Sequence, residues 1–253
     1  PALAAGIILL FVLRDEADRM IYAGMFTVTA LLWLTAAILF YLIKEKKGSI
    51  EGGRTPADEF KQGARIIVKD KNFRNFIVTR ALLMAIPLLQ PFYVLISKEL
   101  RSGDFNAIAF LIIISGLAQI ISSPLWGKLA DRNAAQLMRI SAFLAIFGAL
   151  YALAFVLFSE SFNAFYAFLP VFFINSIAYS GARLSRKTYL VDYAPDKERP
   201  TYISVANTSI GLFTIVAAGF GFIAEWFGLA GQLTFFTTLL IAVILLSFRL
   251  KKV

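Results

Sequence analysis

The side chains of this sequence that could do chemistry are few, and they lie inside long apolar runs. They are the neutral polar residues Gln90, Gln119, Asn175, Tyr179 and Asn207. Amide and phenol groups exchange hydrogen bonds but do not titrate near neutral pH. The pattern favours a cavity for an uncharged or lipophilic solute. For any single residue, a hydrogen bond that holds two membrane helices together is an equally good explanation.

Several classes of chemistry are excluded by composition. The 253 residues include no histidine and no cysteine, so disulfides, thiolate metal sites, cysteine nucleophiles and histidine acid–base catalysis are ruled out. A Gly-Lys-Ser/Thr phosphate-binding loop is also absent. We expect no enzyme activity, no metal and no cofactor. An integral-membrane enzyme would need reactive side chains clustered at one membrane face, whereas Asp131, Asp192, Asp196 and Glu198 lie among basic residues.

The apolar runs that carry these residues predict membrane spans. The chain is 59% hydrophobic and 16% charged, against about 25% charged in a soluble domain, and its mean hydropathy is +0.74. A helix of about 20 residues crosses the hydrocarbon core and satisfies its own backbone hydrogen bonds. Seven runs have this length: 21–43, 76–96, 106–126, 138–158, 163–182, 202–224 and 227–248. The sequence therefore predicts an all-α polytopic membrane protein.

The positions of lysine and arginine predict the orientation. Nine lie in 44–74, three in 128–139, five in 183–199 and three in 249–252, whereas the intervening loops carry four. Because basic residues mark the cytoplasmic face, we expect these segments and the C-terminus to be cytoplasmic. The net charge of +9 is thus a topology signal with a secondary attraction for anionic lipid, and no nucleic acid is expected as a partner.

One long polar segment divides the chain. Its first part, 44–55, has the composition of a flexible linker. The second part predicts an amphipathic helix, with Thr55 as its cap, Pro56 at its first position and Asp58 in the first turn. Such a helix rests either on the membrane surface or on the helix bundle. It acts either as a latch between two bundles or as an inert linker.

A short charged turn separates the second and third spans after this linker. Gly127, Leu129, Asp131 and Arg132 follow the pattern G-x-L-A-D-R. This resembles the loop between the second and third helices of each six-helix half in the major facilitator superfamily of secondary transporters. Ala134–Gln136 replace the glycine and basic pair that complete the motif, as is typical of its C-terminal copy. Segments 71–83 and 183–208 also resemble the start of helix 7 and the loop between helices 10 and 11 of that family.

The resemblance implies the organisation of the chain. Residues 1–43 would be the end of helix 5 and helix 6 of an N-terminal bundle, 44–75 the cytoplasmic linker, and 76–253 the C-terminal bundle of helices 7 to 12. We expect the sequence to be the C-terminal portion of a longer protein. Gly127 would let the chain turn sharply, and Asp131 would latch the cytoplasmic side closed. The alternative is that Asp131 and Arg132 form a solvated loop pair.

The resemblance also implies the place of a solute. Transporters built from three-helix repeats bind it near the midplane at interrupted helices, and Pro87, Pro91 and Pro170 fall inside the first helix of each repeat. Arg80 is the only charge well inside a span. We interpret it as snorkelling to the headgroups rather than as functional. Since no carboxylate lies deep in helices 7 to 12, a coupling acid would be Glu225 or would precede this sequence.

These features predict a secondary active transporter in a prokaryotic cytoplasmic membrane. It would move a small solute by alternating access, powered by an ion gradient with the proton as the expected ion, and one full-length chain would suffice. The sequence alone does not separate this function from a non-transporting receptor or scaffold with the same fold.

Overall fold

The structure, a computed structural model, describes residues 19–42, 56–100, 105–158 and 165–252. These ranges contain helices and no strand, so the prediction of an all-α fold is confirmed. The helices are α1 (Arg19–Leu42), α2 (Pro56–Lys69), α3 (Lys71–Leu82), α4 (Ala85–Leu100), α5 (Phe105–Leu157), α6 (Phe165–Tyr193), α7 (Arg199–Ala218) and α8 (Gly221–Ser247). The apolar segment 1–13, the flexible segment 44–55 and the cap at Thr55 lie outside the described residues.

Within the described ranges, five helical stretches are long and apolar enough to cross a membrane. They are Lys71–Ser97, Phe110–Leu157, Phe165–Tyr193, Arg199–Ala218 and Gly221–Ser247. The second is 48 residues long, about twice the length of one span. Its backbone leaves the helical region at Asn133 (φ −167°, ψ 94°), which divides α5 into the two spans that the sequence predicts.

The predicted turn at Gly127 was wrong. The helix continues through Gly127, and the backbone leaves the helical conformation six residues later, at Asn133, where one helix ends and the next begins. The side-chain oxygen of Asn133 accepts a hydrogen bond from the backbone N–H of Gln136 at 3.0 Å, as an N-cap residue does for the helix that follows it. Where the chain turns is therefore set by the cap of the next helix and not by the conformational freedom of glycine.

A proline interrupts the first span after the linker. The helix breaks between α3 and α4 at Leu83 and Met84. Pro87 lacks an N–H, and its ring crowds the carbonyl four residues earlier, which belongs to Leu83; that carbonyl instead accepts from Ile86 N at 3.2 Å. Pro170, in contrast, lies inside the continuous helix α6. The interruption that the prolines indicated therefore occurs in only one of the two spans.

Helix α6 is longer than the sequence predicts. It continues to Tyr193, although the apolar run ends at residue 182. Arg183 and Arg186 therefore lie on a helix and not in a loop. The extension is compatible with a membrane span because its polar residues fall on one helical face, as described below.

The basic segments meet at one end of the bundle. Tyr193, the last residue of α6, donates to Asp70, just before α3. The backbone N–H of Lys251, beyond α8, donates to Asn72, and the Arg139 guanidinium lies 4.6 Å from the centre of the Phe248 ring. We call this end, where α3 begins and α6 and α8 terminate, the basic end.

The linker helix α2 rests on the bundle. Gly63 of α2 lies so close to α7 that an added Cβ would be 2.6 Å from Cγ2 of Val205. Of the two positions allowed by the amphipathic sequence, membrane surface or bundle, the structure has the second. The described side chains of α1, in contrast, are all exposed.

Candidate functional site

A polar stripe runs along α6 towards the basic end. Its members are spaced three or four residues apart and therefore share one helical face: Asn175, Tyr179, Arg183, Arg186, Tyr189 and Tyr193. In the apolar segment of a membrane protein such a face must contact protein or water rather than lipid. Three of its members, Arg186, Tyr189 and Tyr193, contact the α3–α4 break or the start of α3.

Two arginines meet where α3, α6 and α7 come together. Arg80 of α3 donates to the side-chain oxygen of Asn207 of α7 at 2.8 Å, and its Nε is buried without a hydrogen-bond partner. Arg186 of α6 donates to the sulfur of Met84 at 3.4 Å, a weak acceptor. The two guanidinium groups are close enough that their charges repel. The positive charge at this point is therefore poorly compensated.

A third arginine extends this positive surface. The guanidinium of Arg183 lies 5.9 Å from the centre of the Tyr179 ring, within the range of a cation–π contact. Across the described ranges the only ion pair joins Arg199 to Asp196, so none of these three arginines is paired with a carboxylate there. We call Arg80, Arg183 and Arg186 the arginine cluster. It presents hydrogen-bond donors and positive charge without an acid to receive them.

Closer to the basic end, a carboxylate is surrounded by donors. Asp70 caps α3 by accepting from the backbone N–H of Phe73 at 2.9 Å. It also accepts from the hydroxyls of Tyr193 at 2.8 Å and Tyr202 at 3.1 Å. These bonds join α3, α6 and α7 through one side chain.

A second group of hydrogen bonds adds the C-terminal segment. The Asn72 amide donates to the Tyr189 hydroxyl at 2.8 Å and accepts from the backbone of Lys251 at 2.9 Å. Asp70, Asn72, Tyr189, Tyr193 and Tyr202 together form what we call the Asp70 network. Because the hydrogen-bonding groups of the network are paired with one another, it holds the helices together at the basic end and is not itself a candidate binding site.

Several buried polar atoms have no hydrogen-bond partner. Besides Arg80 Nε they include the Asn175 oxygen, the Tyr93 hydroxyl and both amide atoms of Gln232; these last three residues are buried, with at most 2% of their surface exposed. A buried polar group without a partner costs about 1–3 kcal/mol. Such groups are therefore places where water or a ligand group would be stabilised.

The structure distributes the five predicted cavity residues over three environments. Tyr179 and Asn207 contact the arginine cluster, whereas Asn175 is buried. Gln90 is exposed on α4, and Gln119 is half-buried on α5. The contacts bring only Tyr179 and Asn207 to one cluster.

The four residues of the predicted latch loop differ in their surroundings. Leu129 packs against the small apolar cluster that contains Trp126, and Gly127 is half-buried in the continuous helix. Asp131 and Arg132 are exposed at the end of the first span of α5. Neither forms an ion pair within the described part of the chain.

Reasoning from the sequence missed the Asp70 network and two members of the arginine cluster, and it read Arg80 as snorkelling. The signal that could have revealed them is the spacing of the α6 stripe, which continues from Asn175 through Arg186 to Tyr193 with helical period. The predicted span stops at residue 182, where the apolar run ends, and so leaves out the second half of this stripe. No grouping of three or more acidic, histidine or cysteine side chains that could hold a metal occurs in the described ranges.

Comparison with known proteins agrees with the fold. No curated protein matches the chain. The family model described as Major Facilitator Superfamily matches residues 84–252, which covers the chain from the α3–α4 break to its C-terminal residues and includes the G-x-L-A-D-R segment. With this match over more than half of its length, the chain belongs to the Major Facilitator Superfamily of membrane transporters.

Proposed function

We propose that this protein is a secondary active transporter that moves a small solute by alternating access and draws its energy from an ion gradient, with the proton as the coupling ion. Residues 76–253 would form one six-span bundle, 44–75 its connection and 1–43 part of the preceding bundle. The family match supports transport itself; the mechanism, the ion and this division are our proposal.

The observation that carries the choice of solute is the arginine cluster. Its three guanidinium groups lie on adjoining helices with no carboxylate paired to them in the described ranges. Arg80 is nine residues from the start of α3 and Arg186 seven from the end of α6, which places them about 10–14 Å inside the bundle. A solute that carries a carboxylate or phosphate group would supply the missing charge.

This proposal replaces the uncharged solute that the sequence favoured. Tyr179 and Asn207 remain in the proposed binding region because they contact the cluster. Asn175 joins it through an oxygen that lacks a partner. Gln90 and Gln119 stay candidates for the neutral wall of the cavity, because they lie on the neighbouring helices α4 and α5, where Gln90 is exposed and Gln119 is half-buried.

The orientation and the latch are further parts of the proposal. The basic end would face the cytoplasm, because lysine and arginine are retained on that side of a membrane. Asp131, exposed near that end, would contact the facing bundle in one conformation only. A contact made in one state alone shifts the equilibrium by its own free energy.

The test is transport by the full-length protein in proteoliposomes with an imposed proton gradient. Uptake is measured for matched anionic, neutral and cationic solutes. We expect gradient-driven uptake of solutes with a carboxylate or phosphate group. Arg186→Gln should lower kcat/KM by at least about tenfold, because an anion would lose a charged partner that is half-buried. Lys187→Gln, an exposed neighbour on the same helix, should remain within about twofold.

The outcomes separate the parts of this proposal. Absence of gradient-driven uptake of every solute contradicts secondary transport. Uptake of neutral solutes alone, unaffected by Arg186→Gln, retains transport and contradicts the anionic solute.

A further inference from the structure

A second basic region lies at the basic end, separate from the arginine cluster. A cavity of about 730 Å³ opens there between the start of α3 and the segment that follows α8. Its wall includes four basic side chains, Lys69, Lys71, Arg249 and Lys251. All four are exposed, and none forms an ion pair within the described ranges. The cavity thus gathers positive charge from two parts of the chain that are far apart in sequence.

One acid in its wall offsets part of this charge. Asp70 is the one acidic residue among those that line the cavity. Its oxygens accept hydrogen bonds from Phe73 N, Tyr193 and Tyr202, which are neutral donors and leave its charge in place. Because four basic side chains stand against this one acid, the cavity keeps a net positive charge for an anion, and the half-buried Asn75 amide adds a further polar group.

The position of the cavity indicates what kind of anion fits. The spans Lys71–Ser97 and Gly221–Ser247 both end at the cavity, which is the depth of lipid headgroups rather than of bulk water. Along α8, which leads away from the cavity, Ile241 and Leu245 are 47% and 65% exposed, and Phe248, just after its end, is 68% exposed; together they form an apolar row. A headgroup phosphate in the cavity would place its acyl chains along this row. A soluble anion has no acyl chains and would make no contact with this row.

We propose that this cavity binds the phosphate headgroup of an anionic phospholipid. Basic pockets of this kind between membrane helices suit anionic headgroups because charge and depth agree. The bound lipid would hold α3 to the segment after α8, two elements that the Asn72–Lys251 hydrogen bond already joins. The proposal does not depend on the transported solute.

The experiment compares lipids added to the purified full-length protein in a non-ionic detergent. The probes are dioleoyl-phosphatidylglycerol, dioleoyl-phosphatidylcholine and inorganic phosphate. The readouts are the midpoint of thermal unfolding and the number of lipids retained in native mass spectrometry. We expect phosphatidylglycerol to raise the midpoint and to be retained, whereas phosphatidylcholine and inorganic phosphate have no effect.

The variants test whether the charge acts at this place. Lys71→Gln combined with Arg249→Gln should weaken phosphatidylglycerol binding by about 25-fold, at about fivefold for each basic residue near an anionic surface. The matched control, Lys128→Gln with Lys187→Gln, removes two exposed charges outside the cavity and should bind as the unchanged protein does. If the double variant is poorly folded, Lys251→Gln alone serves, because its contact with Asn72 is through the backbone.

Three results would overturn the proposal. Equal losses in the cavity variant and the control would mean diffuse attraction to anionic lipid. Stabilisation by inorganic phosphate alone would mean a site for a soluble anion. Equal retention of phosphatidylcholine and phosphatidylglycerol would mean that the headgroup charge is not recognised.

Discussion

Helix α6 has two sides that are built differently. Against α5 it packs through small and apolar groups: a Cβ added to Gly181 would lie 3.3 Å from Leu137 and from Trp126, and one added to Gly148 would lie 3.4 Å from Ile174. We call this side the α5–α6 seam. Against α3 and α7, α6 presents the polar stripe, with the arginine cluster and the Asp70 network.

The two sides of α6 should have different roles: the α5–α6 seam should stabilise the bundle, and the arginine cluster of the polar stripe should bind the solute. In the seam, close packing of small residues lets backbones approach, and hydrogen bonds such as that from the Trp126 indole to the Ile177 carbonyl at 3.1 Å are made within the protein. On the stripe side, the Asp70 network is internally satisfied, but the arginine cluster is not. Substitutions in the seam should therefore alter stability alone, whereas those in the arginine cluster should alter transport.

The largest effect on stability should come from the Asp70 network. Asp70→Ala removes the cap of α3 and leaves the Tyr193 and Tyr202 hydroxyls without their acceptor. We expect a loss of about 2–4 kcal/mol in the free energy of unfolding, measured by titration with a denaturing detergent. Asp70→Asn retains an acceptor oxygen and should lose clearly less.

The matched control for this prediction is Asp196→Asn. The Asp196 carboxylate forms an ion pair with Arg199, but 88% of its side chain is exposed, and such pairs contribute little. If Asp70→Ala were no more damaging than Asp196→Asn, the network would not be what holds α3, α6 and α7 together at the basic end.

The seam should respond to a single added methyl group. A Cβ on residue 181 would overlap the Ser141 hydroxyl and approach Leu137 and Trp126 at 3.3 Å. Gly181→Ala should therefore lower the free energy of unfolding by about 1–3 kcal/mol. Gly211→Ala should not lower the free energy of unfolding, because a Cβ added there on α7 would have no atom within 4 Å. Equal stability of the two variants would show that the seam is more loosely packed than its geometry indicates.

The sequence predicts the presence of the membrane-spanning helices better than it predicts where each helix ends, because different interactions determine the two. Burial in the hydrocarbon core fixes the presence of spans, so runs of 20–23 apolar residues predicted them. It does not fix helix ends. At residue 182 the apolar run stops while α6 continues to Tyr193, because the polar residues beyond it face α3 and α7. At Asn133 the end is set by a single side-chain hydrogen bond.

The candidate site was less predictable for a related reason. Neutral polar residues inside apolar runs are visible in a sequence, and Asn175, Tyr179 and Asn207 were found in that way. Arg186 follows the apolar run and therefore reads as a loop residue in the sequence, since only tertiary packing shows that it contacts Met84 at the α3–α4 break. Asp70 joins three helices by contacts between residues more than 120 positions apart in sequence. A local sequence pattern cannot predict such contacts.

The smallest expected effect concerns the G-x-L-A-D-R segment, which lies where the seam meets the basic end. Leu129 belongs to the packed side, whereas Asp131 is exposed and without an ion pair in the described ranges. Asp131→Asn should therefore leave the free energy of unfolding unchanged. It should change the rate of transport by about two- to fivefold, the size expected from one exposed charge near a helix end.

Because these 253 residues contain no cysteine, opening of the basic end can be followed with a cysteine introduced there, in a full-length protein in which any other cysteine has been replaced. A single cysteine introduced near the basic end can be labelled from one side only when that side is open. If Asp131 stabilises the closed state, as we propose, Asp131→Asn should raise the labelling rate, whereas Asp192→Asn, which changes an exposed acid at the end of α6, should not. An unchanged labelling rate in a well-expressed Asp131→Asn protein would mean that Asp131 is a solvated residue without a latch function. The comparison would then reduce to two regions, the α5–α6 seam that stabilises the bundle and the polar stripe that binds the solute.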